Sequence, residues 1–175
     1  CCLCSPRIFR GFFIYYFSVS LIYLENRVIY NISNMTEDLK NQLEQKYQKF
    51  LETEFTVFDL ETSGLYPDKD EILEIAGIKM RGPEEIARWE MLIQPTRPIS
   101  PEVEKINGLN ELFLLVNGKK SKDAVQEFLE FVGASIVVGH NIRDFDWPFV
   151  LSHAKKHAIT QPKNAMIDTL HLSRQ

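Results

Sequence analysis

Cysteine is scarce in this sequence, and its placement is informative. All three cysteines, Cys1, Cys2 and Cys4, lie at the extreme N-terminus of the 175-residue chain. The remaining residues therefore have no disulfide framework of the kind that small secreted proteins use. This pattern favours a reducing compartment, and we expect a cytoplasmic protein. A zinc site on these cysteines would need further ligands nearby, and the adjacent sequence supplies none.

A strong net charge and a membrane-length apolar run are also missing. The net charge of −4 argues against a broad basic surface that binds nucleic acid by charge alone. The apolar stretch at residues 11–24 is too short to span a bilayer comfortably. Two arginines precede it, as in a signal peptide, but the chain opens on Cys and the stretch is crowded with Phe and Tyr. We expect residues 1–34 to be an atypical leader outside the fold, from read-through translation or a fragment boundary. A real targeting signal is the alternative, and only then would a membrane be a partner.

The remaining residues predict one α/β domain with a mixed sheet flanked by helices. An apolar fraction of 45% in a chain of this length is enough for one core. Apolar residues at helical spacing after the candidate N-cap Thr36 predict an amphipathic helix over residues 35–53. Three strands joined by short turns, within residues 55–93, predict an antiparallel meander. Short helical pieces are expected at 102–106 and 109–116. A helix ending at Gly133 then leads into a buried strand at 135–139, and this crossover makes the sheet mixed.

The first candidate site lies in residues 55–64, a β-branched and aromatic strand that ends in a Gly/Pro turn. Side chains alternate along a strand, so Asp59 and Glu61 share one side while Leu60 points to the other. Two neighbouring carboxylates repel each other, and a divalent cation would remove that conflict. Solvated acids before a turn are the plain alternative. The nucleophile motif of haloacid-dehalogenase-type phosphatases, Asp-x-Asp, is a second alternative, although the second acid here is Glu.

The second candidate site follows the buried strand, in residues 139–150. Pro148 fits the first turn of a helix, which places Asp146 near a helix N-terminus just past the strand. Open α/β sheets bind ligands at that edge. Taken alone, an Asp there is more often a helix cap than a metal ligand. Asp144 is the alternative ligand in this motif.

Together the two motifs, Asp-x-Glu-Thr-Ser-Gly and Gly-His-Asn with Phe-Asp-x-x-Phe, resemble the DEDD superfamily of 3′→5′ exonucleases. The sequence is most similar to its DEDDh class, which includes the proofreading epsilon subunit of bacterial DNA polymerase III and the Trex-type exonucleases. Residues 70–76, 99–109 and 167–174 resemble further family segments in the family's order. The resemblance covers residues 54–175, whereas the phosphatase interpretation lacks its later Lys and Asp motifs.

The resemblance implies a ribonuclease H-like fold and a metal-dependent 3′→5′ exonuclease acting in DNA replication or repair. The implied substrate is a DNA or RNA 3′ end, with DNA favoured, and a polymerase subunit is a possible partner. Two Mg²⁺ or Mn²⁺ ions are implied. The implied catalytic and metal-binding residues are Asp59, Glu61 and Asp146. The implied substrate-binding or site-shaping residues are Thr62, Ser63, Gly64, Leu65 and Asn141.

One family feature lies outside this sequence. The family carries a general-base His and a fourth carboxylate on a final helix, several tens of residues after the segment that Asp168 and His171 belong to. Neither of those two residues replaces them. We therefore expect the final helix to be missing, the domain at 54–175 to be incomplete, and the chain alone to be nearly inactive. The rival hypothesis is a non-catalytic ribonuclease H-like module that binds nucleic acid or a polymerase. His153 and His157 have the spacing of a zinc site, but a solvated helix face is expected there.

Overall fold

A computed structural model describes residues 36–174, which form a five-stranded sheet with helices packed on it. The expected leader, including the apolar stretch at residues 11–24, lies outside the described residues. In chain order the elements are α1 (Glu37–Glu52), β1 (Glu54–Thr62), β2 (Ile72–Arg81), β3 (Glu84–Leu92), α2 (Pro101–Asn107), α3 (Glu111–Asn117), α4 (Ser121–Val132), β4 (Ile136–Gly139), α5 (Asp146–Lys156), β5 (Met166–Asp168) and α6 (Thr169–Leu172).

The sheet is mixed, as the sequence predicts. Its strand order is β3-β2-β1-β4-β5. Strands β1, β2 and β3 form the antiparallel meander, and β4 and β5 extend it as parallel strands. Helices α2 and α3 begin at the N-caps Ser100 and Asn110, whose side chains accept backbone N–H groups. Their bounds differ by one or two residues from the predicted helical pieces.

Strand β1 is longer than β4, so β4 can pair with only part of the β1 edge. Strand β4 pairs only with Phe55, Thr56 and Val57 of β1. The second half of β1 therefore continues past the end of β4, still paired with β2 on its other side. Backbone groups of β1 that point toward β4 in this half need other partners.

The main core lies between one face of the sheet and helices α4 and α5. Phe58 of β1 contacts Phe128 of α4, with ring centroids 5.0 Å apart, and Trp147 of α5 at 5.9 Å. Phe128 has no exposed surface, and Leu60 is buried in the same cluster. This packing presses Leu60 into the core and turns its neighbours Asp59 and Glu61 to the other face of the sheet.

Helix α1 forms where the sequence predicts it, with Thr36 as its N-cap. Its predicted role in packing is fulfilled only at its C-terminal end, where the Phe50 ring lies 5.8 Å from that of Phe55. No residue of α1 is buried. None of the helices within residues 36–174 has the length and apolar composition that a membrane crossing requires.

Candidate active site

Asp59 and Glu61 lie in the half of β1 that extends past β4. Asp59 is exposed and Glu61 is half-buried, whereas Leu60 between them is buried. The predicted alternation of side chains is therefore present. Across the β1–β2 pair, Asp59 faces Ala76 and Glu61 faces Glu74. The acids of β1 thus stand on the sheet face opposite to the main core.

Asp146 comes to the same edge from a different part of the chain. It is the first residue of α5 and only 3% exposed. Its Oδ1 accepts a hydrogen bond from the backbone N–H of Leu60 at 3.2 Å. This bond occupies the edge of β1 just where β4 has ended. The gap left by the short strand is therefore filled by a carboxylate next to Asp59.

The environment of Asp146 disfavours its charged form. Burial raises the pKa of Asp146 well above its usual range, and the nearby negative charge of Asp59 raises it further. The hydrogen bond from the Leu60 N–H lowers this pKa only in part, and Asp168 adds a smaller repulsion. A cation at this edge would stabilise both ionised carboxylates.

The donors at this edge fit a hard divalent cation in part. Asp59 and Asp146 offer oxygen ligands, which suit Mg²⁺ or Mn²⁺. Within residues 36–174, no three acidic, His or Cys side chains are gathered closely enough to hold an ion together. Mg²⁺ is usually held by one or two carboxylates together with water and substrate phosphate, and a pair of acids meets that requirement.

The turn after β1 is tightly bonded internally. The Thr62 hydroxyl donates to the carbonyl of Gly64 at 2.6 Å. Ser63 is bonded twice to Glu71, because its N–H donates to the Glu71 carbonyl and its Oγ accepts the Glu71 N–H, both at 2.8 Å. Leu65 is 72% exposed. Of the residues predicted to bind substrate through backbone N–H groups, Ser63 has its N–H already occupied.

Asn141 has a structural part in the second motif. It adopts a left-handed backbone conformation with φ of 59°, and its N–H donates to Asp168 Oδ1 at 3.0 Å. Its carbonyl accepts the N–H groups of Asp144 and Phe145. Asn tolerates this conformation better than most residues, which accounts for its type here. Asp144, the alternative ligand, is exposed.

Asp168 is the residue at this site whose importance the sequence did not predict. It is 3% exposed, ends β5 and is the N-cap of α6. Burial alone would raise the pKa of Asp168, but hydrogen bonds from the N–H groups of Arg143, Leu170 and Asn141 outweigh this and lower it. An Asp directly before a Thr-Leu helix start is a recognisable N-cap pattern, and that signal could have identified it.

The expectation of a solvated helix face at His153 and His157 is wrong for His153. His153 is 3% exposed, its Nδ1 lies 3.1 Å from the Ser121 hydroxyl, and its Nε2 lies 3.4 Å from the Asp70 carbonyl. His157 Nε2 also lies 3.1 Å from Ser121 Oγ. Helix α5 packs against the start of α4, and this packing buries the His153 side chain. Burial lowers the pKa of both histidines, so their neutral forms are favoured.

Comparison with known proteins identifies the family of this chain. The sequence profile of the Exonuclease family, RNase_T, matches residues 56–175. The DNA polymerase III PolC-type of Caldanaerobacter subterraneus subsp. tengcongensis is 35% identical over 149 residues, or 85% of this chain and 10% of that protein. The PolC-type polymerase of Bacillus subtilis is 32% identical over 151 residues, with the same coverage. The chain thus spans about a tenth of the length of these curated relatives.

Solved structures show the same fold. Exonuclease I in complex with the inhibitor BCBP superposes with a TM-score of 0.66 at 18% identity, over 70% of this chain and 30% of that one. E. coli exonuclease I in complex with a dT13 oligonucleotide superposes with a TM-score of 0.65 at the same identity, over 70% of this chain and 29% of that one. The chain therefore belongs to the exonuclease family, which confirms the expected DEDD-type 3′→5′ exonuclease domain with a ribonuclease H-like fold.

Proposed function

We propose that this domain hydrolyses phosphodiester bonds at nucleic-acid 3′ ends, with DNA as the favoured substrate. The observation that supports this most directly is the position of Asp146, a buried carboxylate bonded to the Leu60 N–H beside Asp59. The similarity to PolC-type DNA polymerase III and to an exonuclease solved with dT13 favours DNA and a place beside a replicative or repair polymerase in the cytoplasm.

Each candidate residue receives a role in this proposal. Asp59 and Asp146 hold a divalent ion, Mg²⁺ or Mn²⁺, and Glu61 contributes from the same strand face as Asp59. A second ion belongs to the proposed site as well. Bound divalent ions would supply positive charge to the scissile phosphate and lower the pKa of a coordinated water. The site thereby acquires the positive charge that the acidic chain itself lacks.

The turn after β1 is proposed to hold the terminal nucleotide. Because the Ser63 N–H is bonded to Glu71, the N–H groups of Gly64 and Leu65 remain for this task. Within the part of the chain that the structure describes, neither of these two N–H groups has a hydrogen-bond acceptor. Thr62 and Ser63 contribute by fixing the turn, and Asn141 contributes by shaping the loop that leads to Asp146.

Metal binding is the first test, because it needs only residues of this chain. Mn²⁺ at about one hundred times its dissociation constant adds about 2.7 kcal/mol to the free energy of unfolding. For a chain of this size that raises the melting temperature by about 5–10 °C. Asp59→Asn and Asp146→Asn should each remove most of this increase. Asp144→Asn, at an exposed acid two residues from Asp146, is the matched control and should retain it.

Hydrolysis is the second test. Because the chain alone is expected to be nearly inactive, a 5′-labelled single-stranded deoxyoligonucleotide should be shortened only slowly from its 3′ end in the presence of Mn²⁺ and excess protein. Asp59→Asn should abolish this residual shortening. A matched ribo-oligonucleotide measures the preference for DNA. A chain whose melting temperature is indifferent to Mn²⁺ and to Asp59→Asn, yet which binds the oligonucleotide, would instead be a non-catalytic binding module. That result would overturn the proposed activity.

A further inference from the structure

The loop between β4 and α5, residues 140–145, has two unfavourable backbone features. Asn141 is in the left-handed region, which L-residues adopt at a cost. Phe145 occupies the N-cap position of α5 with φ of −125° and ψ of −76°, and its side chain makes no capping hydrogen bond. The loop nevertheless delivers Asp146 to the Leu60 N–H. The loop has internal hydrogen bonds from the Asp144 and Phe145 N–H groups to the Asn141 carbonyl, and contacts from outside the loop add to this restraint.

The side chain of Asp168 supplies that restraint. Its Oδ1 accepts the N–H of Asn141 at 3.0 Å and the N–H of Leu170 at 2.9 Å, and its Oδ2 accepts the N–H of Arg143 at 3.1 Å. One carboxylate thus joins two residues of the loop to the first turn of α6. Since both of its oxygens are occupied by backbone N–H groups, Asp168 is placed to anchor the loop rather than to bind an ion.

Thr169 restrains the start of the same loop. Its hydroxyl donates to the carbonyl of Gly139 at 3.2 Å, and His140 Nδ1 lies 3.2 Å from Thr169 Oγ1. The loop is also compact within itself, because a Cβ at Gly139 would lie 3.0 Å from the Ile142 side chain. The carbonyl of Ile142 accepts the N–H of Trp147, the residue after Asp146. A restraint on the loop therefore reaches the first turn of α5.

We propose that Asp168, assisted by Thr169, is a positioning residue that holds the loop so that Asp146 meets Asp59 at the metal-binding edge. This inference rests on the proposed function of Asp59 and Asp146. It assigns Asp168 an effect on metal affinity through Asp146, although Asp168 itself touches neither ion nor substrate. Mutation of residues that orient metal ligands without binding the ion themselves typically lowers metal affinity by about 10–100-fold.

The test measures the Mn²⁺ dependence of the melting temperature in the full 175-residue chain. In Asp168→Asn, the side-chain NH₂ group takes the place of Oδ2 and faces the Arg143 N–H. The hydrogen bond from Arg143 is lost, and two donors repel each other there. We expect the Mn²⁺ concentration at half-maximal stabilisation to rise by about tenfold or more. Thr169→Val should raise it by a smaller factor, and Thr169→Ser should restore the wild-type value because it keeps the hydroxyl.

Ser135→Ala is the control for a simple loss of stability. Ser135 is buried at the opposite end of β4, where its hydroxyl is bonded to Thr56 and to the Val132 carbonyl. This variant should lower the melting temperature and leave the Mn²⁺ midpoint unchanged. Thr169→Val leaves the acceptor atoms of Asp168 intact, so it tests the restraint even where Asp168→Asn does not fold.

The possible failures are distinguishable. If Asp168→Asn and Thr169→Val lower the melting temperature but keep the wild-type Mn²⁺ midpoint, as Ser135→Ala should, both residues are merely structural and the positioning role is refuted. If the wild-type chain shows no Mn²⁺ stabilisation, the proposed function is overturned at its first step and the positioning role with it. A raised midpoint that Thr169→Ser restores supports the proposal.

Discussion

Replacing Gly64 with Ala should disturb the turn after β1 through a single neighbour, Asp70. A Cβ built at Gly64 would lie 2.4 Å from both Cγ and Oδ2 of Asp70. Carbon atoms in contact are normally about 3.5–4.0 Å apart, so the Asp70 carboxylate would have to move by about 1 Å or more. That carboxylate accepts the Tyr66 N–H at 2.9 Å, and the movement would break this bond.

The size of the effect follows from three contributions. Losing an exposed hydrogen bond to a carboxylate costs about 1 kcal/mol, and the residual crowding adds about 1 kcal/mol. Restricting the unfolded chain by Gly→Ala returns about 0.4–1 kcal/mol. The net loss for Gly64→Ala is therefore about 1 kcal/mol, or about 2–4 °C in melting temperature. In an Asp70→Ala background the crowding atoms are gone, and the same substitution should stabilise by about 0.4–1 kcal/mol.

A double-mutant cycle tests this reasoning. Thermal or urea denaturation of the wild type, Gly64→Ala, Asp70→Ala and the double variant should give a coupling free energy of about 1.5–2 kcal/mol. A coupling near zero, with Gly64→Ala equally destabilising in both backgrounds, would show that Asp70 is not the obstacle. Oligonucleotide binding measured on the same four proteins should fall in Gly64→Ala and recover in part in the double variant.

Three further predictions concern buried groups. Without metal, stability should fall as pH rises above the usual Asp range, about 4, because the raised pKa of Asp146 makes the folded state bind more protons than the unfolded state. Asp146→Asn should remove that slope and melt higher than wild type at pH 7; an unchanged pH profile would contradict it. Burial lowers the pKa of His153, so stability should also fall as pH drops below about 6.5, and His153→Gln should flatten this part of the urea-denaturation profile. If the slope below pH 6.5 persists in that variant, another group is responsible. Phe128→Ala should cost about 3–5 kcal/mol in urea denaturation with an unchanged m-value, because Phe128 is fully buried between Phe58 and Trp89; a loss below about 1 kcal/mol would show that the core there is loose.

The sequence could predict the elements because their signals are local. Apolar spacing after Thr36 predicts α1, and the turn at Gly82 separates two strands of the meander. The same local rule places Asp59 and Glu61 on one side of β1, since alternation depends only on the strand itself. The order of helix and strand before Gly139 predicts the parallel crossover, which the sheet contains.

The surroundings of His153 could not be predicted in this way. Its helical spacing with His157 and the neighbouring lysines indicate a solvated face, but the position of α5 against Ser121 and Asp70 buries the ring. The hydrogen bonds between Asp168 and the loop could not be predicted from the sequence either. They join residues 25–27 positions apart, and only the pairing of β4 with β5 brings them together.

The sequence by itself determined which acids are available and that two of them share one strand face, because the strand period is fixed by the backbone. The tertiary structure alone decided that Asp146 joins Asp59. Strand β4 ends before the acids of β1 begin, and the next helix starts where the Leu60 N–H is open to an acceptor. The lengths of neighbouring strands and the docking of α5 are set by packing across the whole sheet, so the meeting of these carboxylates is a property of the fold and not of either motif.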